Sequence, residues 1–364
     1  MLCSIPISST SCSKLGNNAA LRKMKILFSN DMPFGLTHGG AQFQIEQTWA
    51  ALERIGVEIE PLRWWTGPQG GDVLHFFGKV PLSLLRAARA KGMKVVFSDF
   101  LTEAGSRPWL RLRLQKSGER LLRYVLPRST VASLSWDSYR QADACIALTP
   151  WEAHLMTYLF RAPPDRVHVV PNGVEATFLD SKPAPRGKWL VFTGTLAQRK
   201  RALELATAAV QARTPLWVIG APYSETDPYG MRFLQFAKEH SDLIRYEGPI
   251  ADRARLAQVY REARGFVLLS TMESLSLSAL EATACECPLL LSDLPWATWS
   301  FKDKATYCRV NGSSGVETKA LSDFYQAAPN LPIAPRPLNW TNVAEQLLKI
   351  YNLVLAPGQR SDKN

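Results

Sequence analysis

Two successive runs of short apolar strands alternating with helical patterns constrain this chain more than any other feature of its sequence. In the first run, residues 24–28, 57–60, 72–76, 94–98, 144–148 and 167–170 read as strands. Their apolar stretches are near-continuous, the pattern of parallel strands buried on both faces. Residues 41–54 read as a helix with Ile45, Trp49, Leu52 and Ile55 on one stripe. Lys182-Pro183-Ala184-Pro185-Arg186-Gly187 then interrupts as a linker. After it, residues 189–193, 216–219, 244–247, 266–270 and 289–292 restart the alternation, and 339–355 reads as a last helix. This predicts an α/β chain of two Rossmann-like, doubly wound parallel-sheet domains. Ligands of such sheets bind beyond the carboxyl ends of the strands, so two facing sheets put the site in a central cleft. The 364 residues suit two domains. The expected boundaries are 24–180 for the amino-terminal domain, 186–336 for the carboxy-terminal domain, and 337–356 for a helix crossing back to the first. Residues 1–23 are Ser-rich and free of acid, and are expected to be a disordered extension. An organelle leader and a misassigned start fit them equally.

Composition narrows the class. Apolar types make up 46% and charged types 21%, an ordinary globular balance, and no run of about 18 apolar residues is present to span a membrane. The formal net charge of +11 points to an anionic partner or to solubility alone. Six cysteines without a C-x-x-C spacing predict reduced, mostly buried thiols, which favours the cytoplasm.

Three segments carry candidate chemistry. Thr37-His38-Gly39-Gly40-Ala41-Gln42 lies between the first strand and the first helix. Its glycines would let a ligand approach the backbone at a helix N-terminus, or would simply form a tight turn. Gly194-Thr195-Leu196-Ala197-Gln198-Arg199-Lys200-Arg201 follows the first strand of the second domain. Three cations at a helix start oppose its dipole, and a bound pyrophosphate would compensate them. Glu273 and Glu281 bracket Ser274-Leu275-Ser276-Leu277, with a helix starting near Ser276 or Ser278. The carboxylates suit sugar hydroxyls, and the amides between them suit a phosphate.

Taken together and in order, these segments resemble the retaining glycosyltransferases of the GT-B fold, family 4. Asp72-Val73-Leu74-His75, Ala142 to Thr149, Val169-Val170-Pro171-Asn172-Gly173-Val174, Ser292-Asp293 and Asn339-Trp340 to Tyr351 resemble further motifs of that family. The match runs from about Met24 to Leu355. The resemblance implies metal-independent transfer of a sugar from a nucleotide-diphosphate sugar, as co-substrate rather than cofactor, to a glycan or lipid-linked acceptor. It implies that the first domain faces the acceptor and the second binds the donor. By analogy, Arg199 and Lys200 stabilise the leaving diphosphate and Glu273 holds the donor sugar, forming the catalytic set. Gly39, Gly40, Gly194, Thr195, Ile250, Leu275, Ser276, Leu277 and Glu281 form the rest of the donor site, with Glu281 on the ribose and the base near Glu247-Gly248-Pro249-Ile250. No Asp-x-Asp triplet is present to bind a metal.

Several positions depart from the family pattern. Thr195 replaces a frequent Arg, and Ser98-Asp99 replaces His-Asp. Ser274-Leu275-Ser276 replaces Gly-Phe-Gly, and Glu286 replaces a Gly after the helix. Ser98 and the glycine-free turn also suit a non-catalytic GT-B scaffold; a nucleotide-sugar epimerase is a third reading. In residues 106–128 seven cations face one acid, with Trp109, Tyr124 and six Leu interleaved. This suits either peripheral contact with an anionic membrane at its inner face or a plain basic surface. Nucleic acid is not expected, since no RNA-binding signature accompanies the charge. His38 and His154 read as turn or surface residues, and Trp296 and Trp299 as packing for the cleft rim or hinge.

Overall fold

A computed structural model describes residues 24–31, 39–127, 130, 136–180, 184–310 and 314–357. The expectations placed on 1–23, Thr37, His38, Arg128, Lys182 and Pro183 lie outside the described residues.

The amino-terminal half builds a parallel sheet from β1 (Lys25–Asn30), β2 (Glu58–Pro61), β3 (Val73–Phe77), β4 (Lys94–Ser98), β5 (Ala144–Ala147) and β6 (Val167–Val169), in the order β2-β1-β3-β4-β5-β6. Neighbouring side chains on a strand point to opposite faces, and both faces are covered here. Leu27, Leu74, Val95 and Phe97 enter one core with Leu155 and Met156 of the helix Pro150–Tyr158. Ile26, Phe28, Val73 and Val96 enter the other with Ile45 and Leu52 of the helix Gly40–Arg54. That helix buries Gln44 and Thr48 beside Ile45 and Leu52. Trp49 and Ile55 are only partly covered, so the buried stripe is rotated from the one the apolar residues alone suggest.

The second half repeats the construction with β7 (Leu190–Thr193), β8 (Leu216–Ile219), β9 (Ile244–Glu247), β10 (Gly265–Leu268), β11 (Leu289–Ser292) and β12 (Thr306–Cys308), in the order β12-β11-β10-β7-β8-β9. Every strand pair in both sheets is parallel. These are two doubly wound sheets with helices on both faces. β12 was not expected: a three-residue edge strand carries too little apolar signal to be seen in sequence. β10 ends at Leu268, and buried Leu269 and Ser270 continue beyond the ladder toward the cleft.

The chain crosses between the halves twice, side by side. Val174 pairs with Asn339 in a parallel bridge, and Val174 N–H donates to Leu338 O (2.9 Å). A Cβ on Gly173 would come within 2.8 Å of Trp340 N, so only glycine lets the two crossings touch. Asn339 Oδ1 caps the helix Trp340–Leu355 by accepting from Asn342 N–H. Val343, Leu347, Ile350 and Tyr351 of that helix then bury into the amino-terminal core.

One of the two tryptophans singled out departs from expectation. Trp296 lies in the carboxy-terminal core, not at the rim, because the helix Pro295–Phe301 turns it inward beside Ala297. Trp299, half-exposed on the same helix, does reach across, its ring tilted 5.3 Å from Trp151 and stacked 6.4 Å from His154 of the first domain. Glu286 follows the helix Leu277–Ala284 with φ of 57°. Its N–H donates to Thr283 O and that of Cys287 to Ala282 O, so Glu286 occupies the left-handed position of a Schellman cap. Arg186 of the linker donates to the carbonyls of Tyr260, Ala263 and Glu286, meeting two helix C-termini with one cation.

Candidate active site

A cavity of about 580 Å³ opens between the domains at the carboxyl ends of both sheets. All twelve residues singled out from the sequence line it: Gly39, Gly40, Gly194, Thr195, Arg199, Lys200, Ile250, Glu273, Leu275, Ser276, Leu277 and Glu281. They come from four separate segments, so the fold and not local sequence brings them together.

The basic loop is built by a sharp turn. Gly194 has φ of 151° and packs against Gly220 at the end of β8. A Cβ on Gly220 would fall 1.9 Å from Gly194 O, so this position admits only glycine. Residues Gln198–Lys200 form a single 3₁₀ turn, and Arg201 takes φ of 58° before the helix Ala202–Gln211. This αL residue sends its side chain away from the cleft into an ion pair with buried Glu317 of the helix Ser314–Ala327. Of the three cations expected to face the cleft, Arg199 and Lys200 do and Arg201 does not.

Arg199 and Lys200 meet Glu273. Lys200 Nζ forms an ion pair with Glu273 Oε1, and Arg199 Nη1 lies 3.5 Å from the same oxygen. Neither is aligned to donate a hydrogen bond to it, so buried Oε1 keeps its accepting capacity. Thr271 N–H donates to Arg199 O (2.8 Å), tying the basic loop to the segment that carries Glu273. The next helix begins as the serine pattern predicts. Ser276 is its N-cap, its Oγ accepting from Ala279 N–H, and Leu277 and Ser278 start the helix at the cavity wall. The first-turn amides of a helix have no partner within it, so this end suits an anion.

Glu281 sits on the second turn of the helix, buried. It pairs with Arg253 and accepts from Tyr260 Oη (3.2 Å), whose hydroxyl also meets Thr193 Oγ1 at 2.5 Å. Burial pushes the Glu281 carboxyl up, and Arg253 and then Tyr260 oppose this. Arg253 is shared with Glu175 at 2.6 Å and lies over the Phe178 ring. Counting Arg199, Lys200 and Arg253 against Glu273 and Glu281 leaves the cavity at +1.

The first domain holds the Glu273 turn from the other side. Glu273 N–H donates to Ser106 Oγ (3.2 Å), and Ser274 Oγ donates to Glu152 Oε1 (2.5 Å). Glu152 Oε2 accepts from Leu148 N–H (2.9 Å). Burial pushes the Glu152 carboxyl up to about 7. Gly40 faces Leu277 across the cleft, where an added Cβ would meet Leu277 Cδ1 at an ordinary 3.7 Å, and at Gly39 it would meet nothing. The glycine pair therefore leaves open room at the cavity rather than relieving backbone strain.

Sequence reasoning did not assign Ser106, Glu152, Asn172, Gly220 or Arg253 to the site. Asn172 and Gly220 had a signal: the first lies in the Pro-Asn-Gly turn already singled out, the second ends a predicted strand facing Gly194. Asn172 Nδ2 donates to Leu275 O, and its buried Oδ1 has no hydrogen-bond partner among the described residues. Ser106, Glu152 and Arg253 had none, since their roles depend on the domains meeting. Ser98 does not line the large cavity. It is buried, 2.9 Å from His75 Nε2, whose Nδ1 lies 2.6 Å from Tyr351 Oη. It borders a separate space of about 10 Å³, room for one water. Asp99 is buried against Tyr139 Oη. Among the described residues no group of three His, Cys, Asp or Glu could hold a metal ion.

Two family models match the chain: Glycosyltransferase Family 4 over residues 53–178 and Glycosyl transferases group 1 over 187–326. Among curated proteins, the D-inositol 3-phosphate glycosyltransferase of Jonesia denitrificans is 30% identical over 243 residues, covering 58% of this chain and 57% of that protein. That of Actinosynnema mirum is 29% identical over 248 residues, with the same coverage. The match thus spans 57% of the length of these relatives. Among solved structures, sucrose-phosphate synthase from Thermosynechococcus elongatus aligns with a TM-score of 0.67 at 16% identity, over 92% of this chain and all of that one. HepE of Anabaena, in complex with UDP and glucose, aligns with a TM-score of 0.60 at 16% identity, over 91% and 98%. At these identities the structural likeness establishes the fold, which is GT-B.

Proposed function

We propose that this chain, whose two halves match the Glycosyltransferase Family 4 and Glycosyl transferases group 1 models, is a retaining glycosyltransferase using a nucleotide-diphosphate sugar. The observation that carries this reading is the convergence of Arg199, Lys200, Glu273 and the 277–284 helix start on one cavity between two GT-B domains.

In this reading the diphosphate lies against Lys200, Arg199 and the Leu277 and Ser278 amides. As the bond from the anomeric carbon to the diphosphate breaks, its electron pair moves onto the diphosphate, an acceptor hydroxyl oxygen bonds to the anomeric carbon from the same face, and the hydroxyl proton passes to the departing phosphate oxygen. Preorganised cations and amides stabilise that growing charge more than they stabilise the bound donor. They supply the electrostatic role that a metal fills in other transferases, with no metal needed. Glu273 accepts from a sugar hydroxyl through Oε1, positioned by the two cations beside it. Glu281, already oriented by Arg253 and Tyr260, retains lone pairs for the ribose hydroxyls. Pro249 and Ile250 line the cavity where the base would rest. The acceptor, a glycan or lipid-linked sugar, would enter from the side of the first domain. The serine-containing 274–276 turn, which first suggested a non-catalytic scaffold, is held by Glu152 and capped by Ser276, and this favours a working donor site.

The test is a screen of nucleotide sugars and acceptors with products detected by mass spectrometry. Lys200→Ala and Glu273→Ala are expected to lower turnover by about 10²–10³-fold, the usual cost of losing one preorganised charge partner, with circular dichroism unchanged. Wild-type turnover in either folded variant would remove that residue from the site. An epimer of the donor formed without transfer would instead support the epimerase reading.

A further inference from the structure

The helix Trp109–Val125 presents its apolar residues to solvent. Its inward stripe is Leu112, Lys116, Glu119 and Arg123, of which only Leu112 is apolar. Polar contacts hold this side: Arg123 donates to Glu119 (2.9 Å) and Asp137 (2.8 Å), and Lys116 Nζ sits 3.4 Å over the Tyr158 ring. At about 100° per residue, Leu110, Leu114, Leu121 and Val125 share the opposite stripe with Tyr124 at its margin. They are 69%, 65%, 64%, 69% and 94% exposed. On the same helical wheel Arg111 falls on one flank of this stripe and Arg113 and Arg120 on the other. The helix's one acid, Glu119, is buried and taken by Arg123.

An exposed apolar stripe bordered on both sides by arginines is the arrangement of a helix lying in a membrane interface, with its cations reaching up to headgroup phosphates. We propose that the 109–125 helix docks this protein on an anionic lipid bilayer, with the leucine stripe entering the acyl boundary. A second copy of the chain fits worse: a twofold contact would set Arg111, Arg113 and Arg120 against their own counterparts with no exposed acid on the helix to offset them. The surface also adjoins the cleft. The segment leaves the carboxyl end of β4, and Ser106, which holds Glu273 N–H, is three residues before the helix starts. A lipid-linked acceptor would then reach the cavity from the bilayer, a consequence that rests on the transfer reading; the docking itself does not.

The test is cosedimentation of the whole chain with vesicles of phosphatidylcholine alone or mixed with phosphatidylglycerol, at low and high salt. Binding to the anionic vesicles is expected to exceed binding to neutral ones by about tenfold or more and to weaken with salt. The double variant Leu114→Glu/Leu121→Glu is expected to lose at least about tenfold. Arg111→Gln, Arg113→Gln and Arg120→Gln are each expected to lose about fivefold. Circular dichroism, and transfer to a water-soluble acceptor, are expected to stay at the wild-type level in all of them, so a failed transfer assay is read separately from failed docking. Equal binding to both vesicle types, or unchanged binding by the leucine variant, would overturn the proposal. So would a concentration-dependent dimer in analytical ultracentrifugation that Leu114→Glu abolishes, which would assign the face to a second copy.

Discussion

The two domains surround their buried carboxylates with different partners. On the carboxy-terminal wall Glu273 faces Lys200 and Arg199, and Glu281 faces Arg253. In the amino-terminal domain Asp99 meets Tyr139 Oη, and Glu152 meets Leu148 N–H and, across the joint, Ser274 Oγ. Both are pushed up by burial, with Lys79 acting on Asp99 from farther off. Burial pushes Glu281 up as well, but there the Arg253 cation is the main opposing influence, whereas for Asp99 and Glu152 it is a hydroxyl hydrogen bond. The first arrangement suits binding of a phosphate and a sugar; the second makes the domain joint sensitive to protons.

The comparison breaks most visibly at Arg253. Arg253→Leu strips Glu281 and Glu175 of their shared cation, and breaking such a buried pair costs about 3 kcal/mol. The melting transition should fall accordingly, and Arg253→Lys should recover part of the loss. Near-wild-type stability in Arg253→Leu would mean that Tyr260 alone suffices to hold Glu281.

The pH dependence of stability probes the other domain. The Glu152 carboxyl lies near 7 in the fold against an ordinary 4.5, so the folded state binds its proton more readily than the unfolded chain does. Its contribution is fully present below about pH 4.5 and is lost as pH rises through about 7. A rise of this size corresponds to on the order of 3 kcal/mol. Glu152→Gln keeps an oxygen for Leu148 N–H and an amide for Ser274. It is expected to flatten the thermal stability profile between pH 5 and 8, measured by calorimetry.

Ser98 sharpens the contrast through packing. With Oγ only 2.9 Å from His75 Nε2, a histidine at this position has no room. Ser98→His is expected to cost about 2 kcal/mol through overpacking, read in urea unfolding; an unchanged midpoint would show that the small adjoining space can absorb the ring. The smallest effect lies outside the cleft. Glu286→Gly relieves an αL residue in the Schellman cap and is expected to stabilise by about 1 kcal/mol. Arg186 is still needed there, since its partners are carbonyls that the substitution leaves in place.

Much of this was legible in the chain itself. Eleven of the twelve strands among the described residues were legible, the central ones as apolar runs, because a parallel sheet buried on both faces needs near-continuous hydrophobic stretches. Ser276 announced the helix start that it caps. The Gly194–Lys200 and Glu273–Glu281 segments carried chemistry unusual enough to be singled out. Less legible were positions whose meaning depends on a neighbour far along the chain. Arg201 resembled Arg199 and Lys200 until its αL turn sent it to Glu317. Trp296 and Trp299 looked alike, three residues apart, until the helix put one in the core and the other against Trp151.

Local sequence therefore determined the elements, the two-domain division and the residue types available for binding an anion, because periodicity and capping act within a few residues. Tertiary structure decided which charges share a cavity and which carboxylates meet cations. It also decided that the leucines of the 109–125 helix face outward. These outcomes depend on burial and on distances between segments up to about 170 residues apart, such as Ser106 and Glu273. Electrostatic and hydration free energies respond to that surrounding rather than to sequence neighbours.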